Sequence, residues 1–187
     1  MKQTKLFGSD ETRICEKIPL DVAQIIGNKV LKCVSECLKP VEVVGSVRRE
    51  KPFVKDIDFV GVGSLETAVK ALCHFKPEIK VKGAKVTKLY IETELGKVQV
   101  DFYCATPSTF GIHKIIRTGS AEHNIWLANY AMSKGFRLKY SEGLLKGRCV
   151  VAGETEESVF EALGLSVPEP NKREIVNGKP LWFLPQI

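Results

Sequence analysis

The chain has 187 residues, 44% of them hydrophobic and 27% charged, and a formal net charge of +6. That length holds one substantial core or one domain with a smaller satellite, and no apolar run reaches the span of a bilayer. Nothing suggests a membrane protein, while the basic balance suits a polyanionic partner and a solvated basic surface alike.

Residues 1–14 read as a polar tail without the apolar stretch of a secretory signal. An intracellular site, cytoplasmic or in the nucleus or nucleoid, follows, with Cys15, Cys33, Cys37, Cys73, Cys104 and Cys149 as thiols. No CxxC pair occurs and only three histidines are present, so no zinc cluster is expected. From Asp21 onward, Val22, Ile25, Ile26, Val30, Cys33, Val34 and Cys37 recur at helical spacing, which predicts an amphipathic helix closed by Pro40. The run 41-VEVV-44 reads as a short strand leading into a Gly45-Ser46 turn, and 57-IDFVGV-62 as a second strand. A helix over 65–75 is capped by the Ser64 hydroxyl.

Strands are predicted near 79–83, 86–93 and 97–104, the last two joined at Leu95-Gly96-Lys97. Within 97-KVQVDFY-103, alternation puts Val98, Val100 and Phe102 on one face and Gln99, Asp101 and Tyr103 on the other. The stretch 76-KPEIKVKGAKVTK-88 carries five lysines against one glutamate. It describes either a groove that follows a phosphate backbone, through Lys80, Lys82 and Lys85, or a sheet edge kept soluble by lysine. After Pro107 the pattern is helical over 108–117, breaks at Gly119, and resumes from Ser120 to about Lys134. Short strands near Lys146-Gly147, a helix over 155–163 and a proline-rich charged ending complete the chain. The order predicts an α+β domain to residue 106 and a smaller unit beyond it.

Asp56 and Asp58 share one face of their strand while Ile57 and Phe59 enter the core. Buried carboxylates this close repel each other and need a partner that offsets their desolvation. Asp101, on the polar face of its own strand, would complete an oxygen-rich cluster of the kind Mg²⁺ prefers, with room for two ions. The D-x-D pair alone is also explained by bonds to backbone amides or to Arg48 and Arg49. The Gly45-Ser46 turn favours the metal, because a glycine and a small hydroxyl let phosphate oxygens approach closely, and Arg49 supplies a charge-assisted fork.

Together these residues resemble a known family. GS-x-RR followed by D-x-D is similar to the palm signature of the family X DNA polymerases, the polymerase-beta-like nucleotidyltransferases. The run 118-TGSAEHN-124 resembles their thumb motif, as do Lys134-Gly135-Phe136, Val151-Ala152-Gly153 and 170-PNKRE-174. The resemblance implies a nucleotidyltransferase-fold palm over 15–106, a mixed β-sheet with helices on one side, followed by a small α/β thumb over 107–187. It implies a monomeric DNA-directed DNA polymerase that uses two Mg²⁺ ions, or Mn²⁺, to add dNTPs to primer-template or gapped DNA, filling short gaps in repair. Asp56, Asp58 and Asp101 would bind the metals, and Gly45, Ser46, Arg49 and Lys17 the phosphates. Gly119, Ser120 and Asn124 would line sugar and base, Ser120 doubling as a helix N-cap, while Lys80, Lys82, Lys85 and Lys134 would meet DNA.

Three departures modify the expectation. The family's aromatic pair before Thr-Gly-Ser is replaced by Ile116-Arg117, so discrimination against a 2′-hydroxyl is relaxed or rebuilt, with Arg117 bonding to sugar or phosphate. Ala128 stands where an arginine usually reaches the templating base and Ala121 where a side chain touches the incoming base, which predicts low fidelity unless Trp126 or Lys134 takes over. The lyase domain and helix-hairpin-helix elements common in the family do not fit ahead of Lys17, so a minimal palm and thumb, of cellular or viral source, is expected. A template-independent or ribonucleotide-using transferase is the alternative, and a non-catalytic DNA-binding protein a weaker one.

Overall fold

Alternation of apolar and polar residues sets which strands lie together, and chain order sets the helices that cover them. The computed structural model describes residues 13–183, so most of the tail expected over 1–14 lies outside the described residues. The first part runs β1 (Ile18–Pro19), α1 (Leu20–Val34), β2 (Leu38–Val43), the single turn α2 (Gly45–Arg48), β3 (Phe53–Val54) and β4 (Asp56–Gly63). Next come α3 (Leu65–Ala71), β5 (Glu78–Val81), β6 (Val86–Thr93) and β7 (Gly96–Ala105). Five of these strands form one mixed sheet in the order β2-β4-β7-β6-β5, with β4 and β7 parallel and the other neighbours antiparallel.

One face of the sheet is apolar. Ile57, Phe59, Leu89, Ile91, Val98, Val100 and Phe102 pack there against Ala23, Ile26, Val30 and Val34 of α1 and Leu65 and Ala68 of α3. Phe59 and Phe102 stack with ring centroids 5.0 Å apart. Each fully buried Val, Leu, Ile or Phe side chain among them contributes about 1.5–3 kcal/mol. Helix α1 ends at Val34, capped by Ser35, and not at Pro40. Pro40 sits inside β2, which is an edge strand with a register shift between Leu38 and Val41, so the missing amide costs no central ladder bond. Before β1, Lys97 N–H donates to Arg13 O at 2.9 Å and Cys15 N–H donates to Lys97 O at 2.8 Å, tying residues 13–15 to the start of β7.

The second part runs α4 (Phe110–Thr118), α5 (Ala121–Ser133), β8 (Phe136–Lys139), β9 (Gly143–Lys146), β10 (Cys149–Ala152), α6 (Glu156–Ala162), β11 (Ile175–Val176) and β12 (Lys179–Pro180). Strands β8, β9 and β10 form an antiparallel meander. Ile112, Ile115, Leu127, Leu144, Val159 and Phe160 give this part its own core. Trp126 stacks on Tyr130 and meets Trp182 edge-on at 5.6 Å, so it serves an aromatic cluster. Phe110 of α4 covers Val44, Val60, Tyr103 and Ala105 on the polar face of the large sheet. The three aspartates share that face. Among the described residues no helix is long and apolar enough to cross a membrane.

Candidate active site

The parallel pairing of β4 with β7 sets Asp58 directly beside Asp101, with Asp56 two residues away on the same face. One carboxylate oxygen from each lies within 4.8 Å of the others. Asp101 has no exposed surface, and Asp56 and Asp58 are half-buried. Gln99 Nε2 donates to Asp101 Oδ1 at 2.9 Å and the Tyr103 hydroxyl to Asp101 Oδ2 at 3.3 Å, while the Lys88 ammonium is bonded to Asp101 Oδ2. Burial, and then the charges of Asp56 and Asp101, push the Asp58 carboxyl up to about 7. Burial and Asp101 raise Asp56 as well. Neither aspartate of the D-x-D pair is bonded to Arg48 or Arg49, which turn toward the second part of the chain.

The Gly45-Ser46 turn is held against this cluster by the chain itself. Val44 N–H donates to Asp58 O at 2.8 Å, and Gly45 opens α2 at φ +67°. A Cβ on Gly45 would stand 2.1 Å from Asp58 Oδ2, so this position tolerates only glycine on both conformational and steric grounds. The expected strand-to-turn exit thus becomes a single helical turn whose first residues border the carboxylates.

Arg49 and Arg48 reach across to the second part. Arg49 Nε donates to Glu174 Oε1 at 2.7 Å and its NH1 to Thr118 O at 2.6 Å. Arg48 forks onto Glu156, at 2.8 Å to Oε1 and 2.6 Å to Oε2, and also donates to the Thr118 hydroxyl at 2.9 Å. Burial alone would raise Glu156, but hydrogen bonds from Arg48 and Arg173 bring it down to about 2. The motif 118-TGSAEHN-124 supplies the junction: α4 ends at Thr118, and Ser120 caps α5 by accepting from His123 N–H at 3.1 Å. Asn124 Nδ2 donates to Ile116 O at 2.7 Å and fixes the break between the helices. The Arg117 guanidinium lies 3.7 Å over the Tyr103 ring, close enough to favour the ionised form of Asp58.

The remaining sequence candidates are spread more widely. Lys17 is exposed and sits 4.2 Å over the Phe53 ring, one residue before β1. Lys80 pairs with Glu78 and lies 5.3 Å over Tyr90, Lys82 and Lys85 are exposed around the β5–β6 connection, and Lys134 caps the C-terminus of α5. A cavity of about 580 Å³ between α3 and β5, lined by Leu65, Val69, Ile79 and Lys82, does not include the triad. Two elements escaped the sequence reading. Lys88 carries a legible signal, since it alternates with the buried Leu89 and Thr87 onto the triad's face, whereas the Arg48–Glu156–Arg173 network joins residues too far apart to pair from sequence.

Carboxylate oxygens converging beside a close-approach glycine turn fit a hard divalent cation and a phosphate chain. Residues 114–174 match the family model "DNA polymerase beta thumb". The chain is 35% identical over 77 residues to DNA polymerase IV of Saccharomyces cerevisiae, a stretch spanning 41% of this chain and 13% of that enzyme. It is 27% identical over 146 residues to repair DNA polymerase X of African swine fever virus, covering 72% of this chain and 82% of the viral protein. A ternary primer-template complex of Leishmania infantum polymerase beta superposes with a TM-score of 0.71 at 22% identity, covering 86% of this chain and 77% of that one. The thumb match, the viral and yeast relatives and the shared fold make the chain similar to the family X DNA polymerases over both its parts.

Proposed function

We propose that this chain extends a DNA 3′ end by nucleotidyl transfer from a dNTP, filling short gaps during repair, with residues 15–106 as palm and 107–187 as thumb. The observation that carries the reading is the convergence of Asp56, Asp58 and Asp101 within 4.8 Å beside the Gly45-Ser46 turn. The three carboxylates would hold two Mg²⁺ ions, with Mn²⁺ as a substitute. Such ions would supply charge that neutralises the triphosphate and eases ionisation of the attacking hydroxyl.

Asp101 accepts the proton of the primer 3′-hydroxyl, whose oxygen bonds to the α-phosphorus as pyrophosphate leaves. Gly45 and Ser46 border the phosphates, and Arg49 joins them by exchanging its bond to Glu174 for the phosphate oxygens. Gly119 and Ser120 line the sugar, while Asn124 keeps the break between α4 and α5 in shape for it. Lys17 adds a phosphate contact, and Lys80, Lys82, Lys85 and Lys134 meet the DNA backbone. The protein works as a monomer inside the cell.

A second reading rests on Arg117, whose guanidinium lies over Tyr103 beside the triad and would donate to the nucleotide's sugar. It makes the enzyme tolerant of ribonucleotides or of a single-stranded 3′ end. Primer extension on a one-nucleotide gap and on a single strand, with Asp101→Asn as control, separates the two. Templated extension lost in the control supports gap filling, untemplated extension supports a terminal transferase, and no extension with either metal refutes both.

A further inference from the structure

Lys88 lies on β6 directly opposite Asp101 in the antiparallel register, and its ammonium is bonded to Asp101 Oδ2. Its side chain is 37% exposed against 1% for Asp101, so the cation reaches in from solvent onto a buried acid. Among the described residues it is the one cation ion-paired with the triad, and its field opposes the rise of both Asp56 and Asp58. A divalent ion held between Asp58 and Asp101 draws on the same carboxylate, and an ammonium bonded to it would be repelled. The lysine therefore has to leave when metal enters.

Where it goes is set by the strand. Val86, Lys88 and Tyr90 alternate onto the triad's face of β6, and Lys80 lies over Tyr90 further along. A compact ammonium on a flexible four-carbon stem, turned away from Asp101, stays on the face where the strand bearing the 3′-hydroxyl must lie, because Asp101 faces that hydroxyl. We propose that Lys88 is an exchangeable counter-ion. It holds Asp101 in the metal-free protein and passes, when metal binds, to the phosphodiester that links the last two primer nucleotides, thereby positioning the 3′ end. This inference rests on the two-metal polymerase reading above.

Two measurements on the full chain test it: Mn²⁺ binding without DNA, followed by the electron paramagnetic resonance of free Mn²⁺, and affinity for gapped DNA in Ca²⁺ with a terminal primer linkage that is either a phosphodiester or a neutral methylphosphonate. Lys88→Gln is expected to bind Mn²⁺ about threefold or more tighter than wild type, with Lys88→Arg close to wild type. The methylphosphonate should weaken wild type and Lys88→Arg by about threefold, and leave Lys88→Gln unchanged. Equal Mn²⁺ affinity in wild type and Lys88→Gln, or a methylphosphonate penalty that persists in Lys88→Gln, would overturn the proposal while leaving polymerase activity intact. A wild type that neither binds Mn²⁺ nor extends a primer would instead refute the two-metal reading, and this inference with it.

Discussion

Replacing Asp58 by asparagine should stabilise the metal-free protein while abolishing its activity. Asp58 is a carboxyl that burial, Asp56 and Asp101 move from 3.8 to about 7. That displacement corresponds to about 4 kcal/mol of penalty on the ionised form. The repulsion is shared among the coupled carboxylates, so the expected gain on removing one charge is about half, near 2 kcal/mol. The sign follows from proton uptake. Between about pH 4 and pH 7 the folded state keeps a proton that the unfolded chain has released, so stability falls as pH rises. Urea denaturation in EDTA should therefore show wild type and Asp58→Asn equally stable near pH 4 and the variant more stable by about 2 kcal/mol near pH 8. With saturating Mg²⁺ the order should reverse, because wild type gains a ligand that the variant cannot hold. A variant that is no more stable than wild type near pH 8 without metal would refute the electrostatic account of the triad.

Further predictions concern the groups around it. Gly45→Ala should leave the circular dichroism spectrum intact yet reduce primer extension by about tenfold or more, because its methyl group would meet Asp58 Oδ2 at 2.1 Å. Glu156→Gln should cost about 3–5 kcal/mol in thermal or urea unfolding, since it leaves Arg173 and Arg48 without their buried anion. Arg117→Ala should lower incorporation of rNTP relative to dNTP by about fivefold in steady-state kinetics, and an unchanged ratio would remove Arg117 from sugar recognition.

The sheet was legible wherever alternation was strict. Val98, Val100 and Phe102 against Gln99, Asp101 and Tyr103 gave both the buried face and the direction of Asp101, and the helix break at Gly119 followed from glycine and an N-capping serine. Pro40 misled because a proline reads as a helix stop, while an irregular edge strand accepts it as well. The Gly45-Ser46 motif revealed a close approach but not its cause, which is a contact with Asp58 on another strand. Arg49 was readable as a phosphate ligand and both arginines as possible partners of the D-x-D pair; their bonds to Glu156, Glu174 and Thr118 depend on how two parts of the chain dock, and Glu156 is 108 residues from Arg48. Lys88 was visible in period-two alternation, yet its role needed the register that sets it across from Asp101.

The central claim, that Asp56, Asp58 and Asp101 hold two ions against a triphosphate, is tested most directly by anomalous scattering from Mn²⁺ in crystals with gapped DNA and a non-hydrolysable dNTP. The account predicts two peaks about 3.5–4 Å apart at the triad, within ligand distance of Asp56, Asp58 and Asp101. Peaks absent from the triad, with Lys88 still bonded to Asp101 and the nucleotide bound elsewhere, would contradict it.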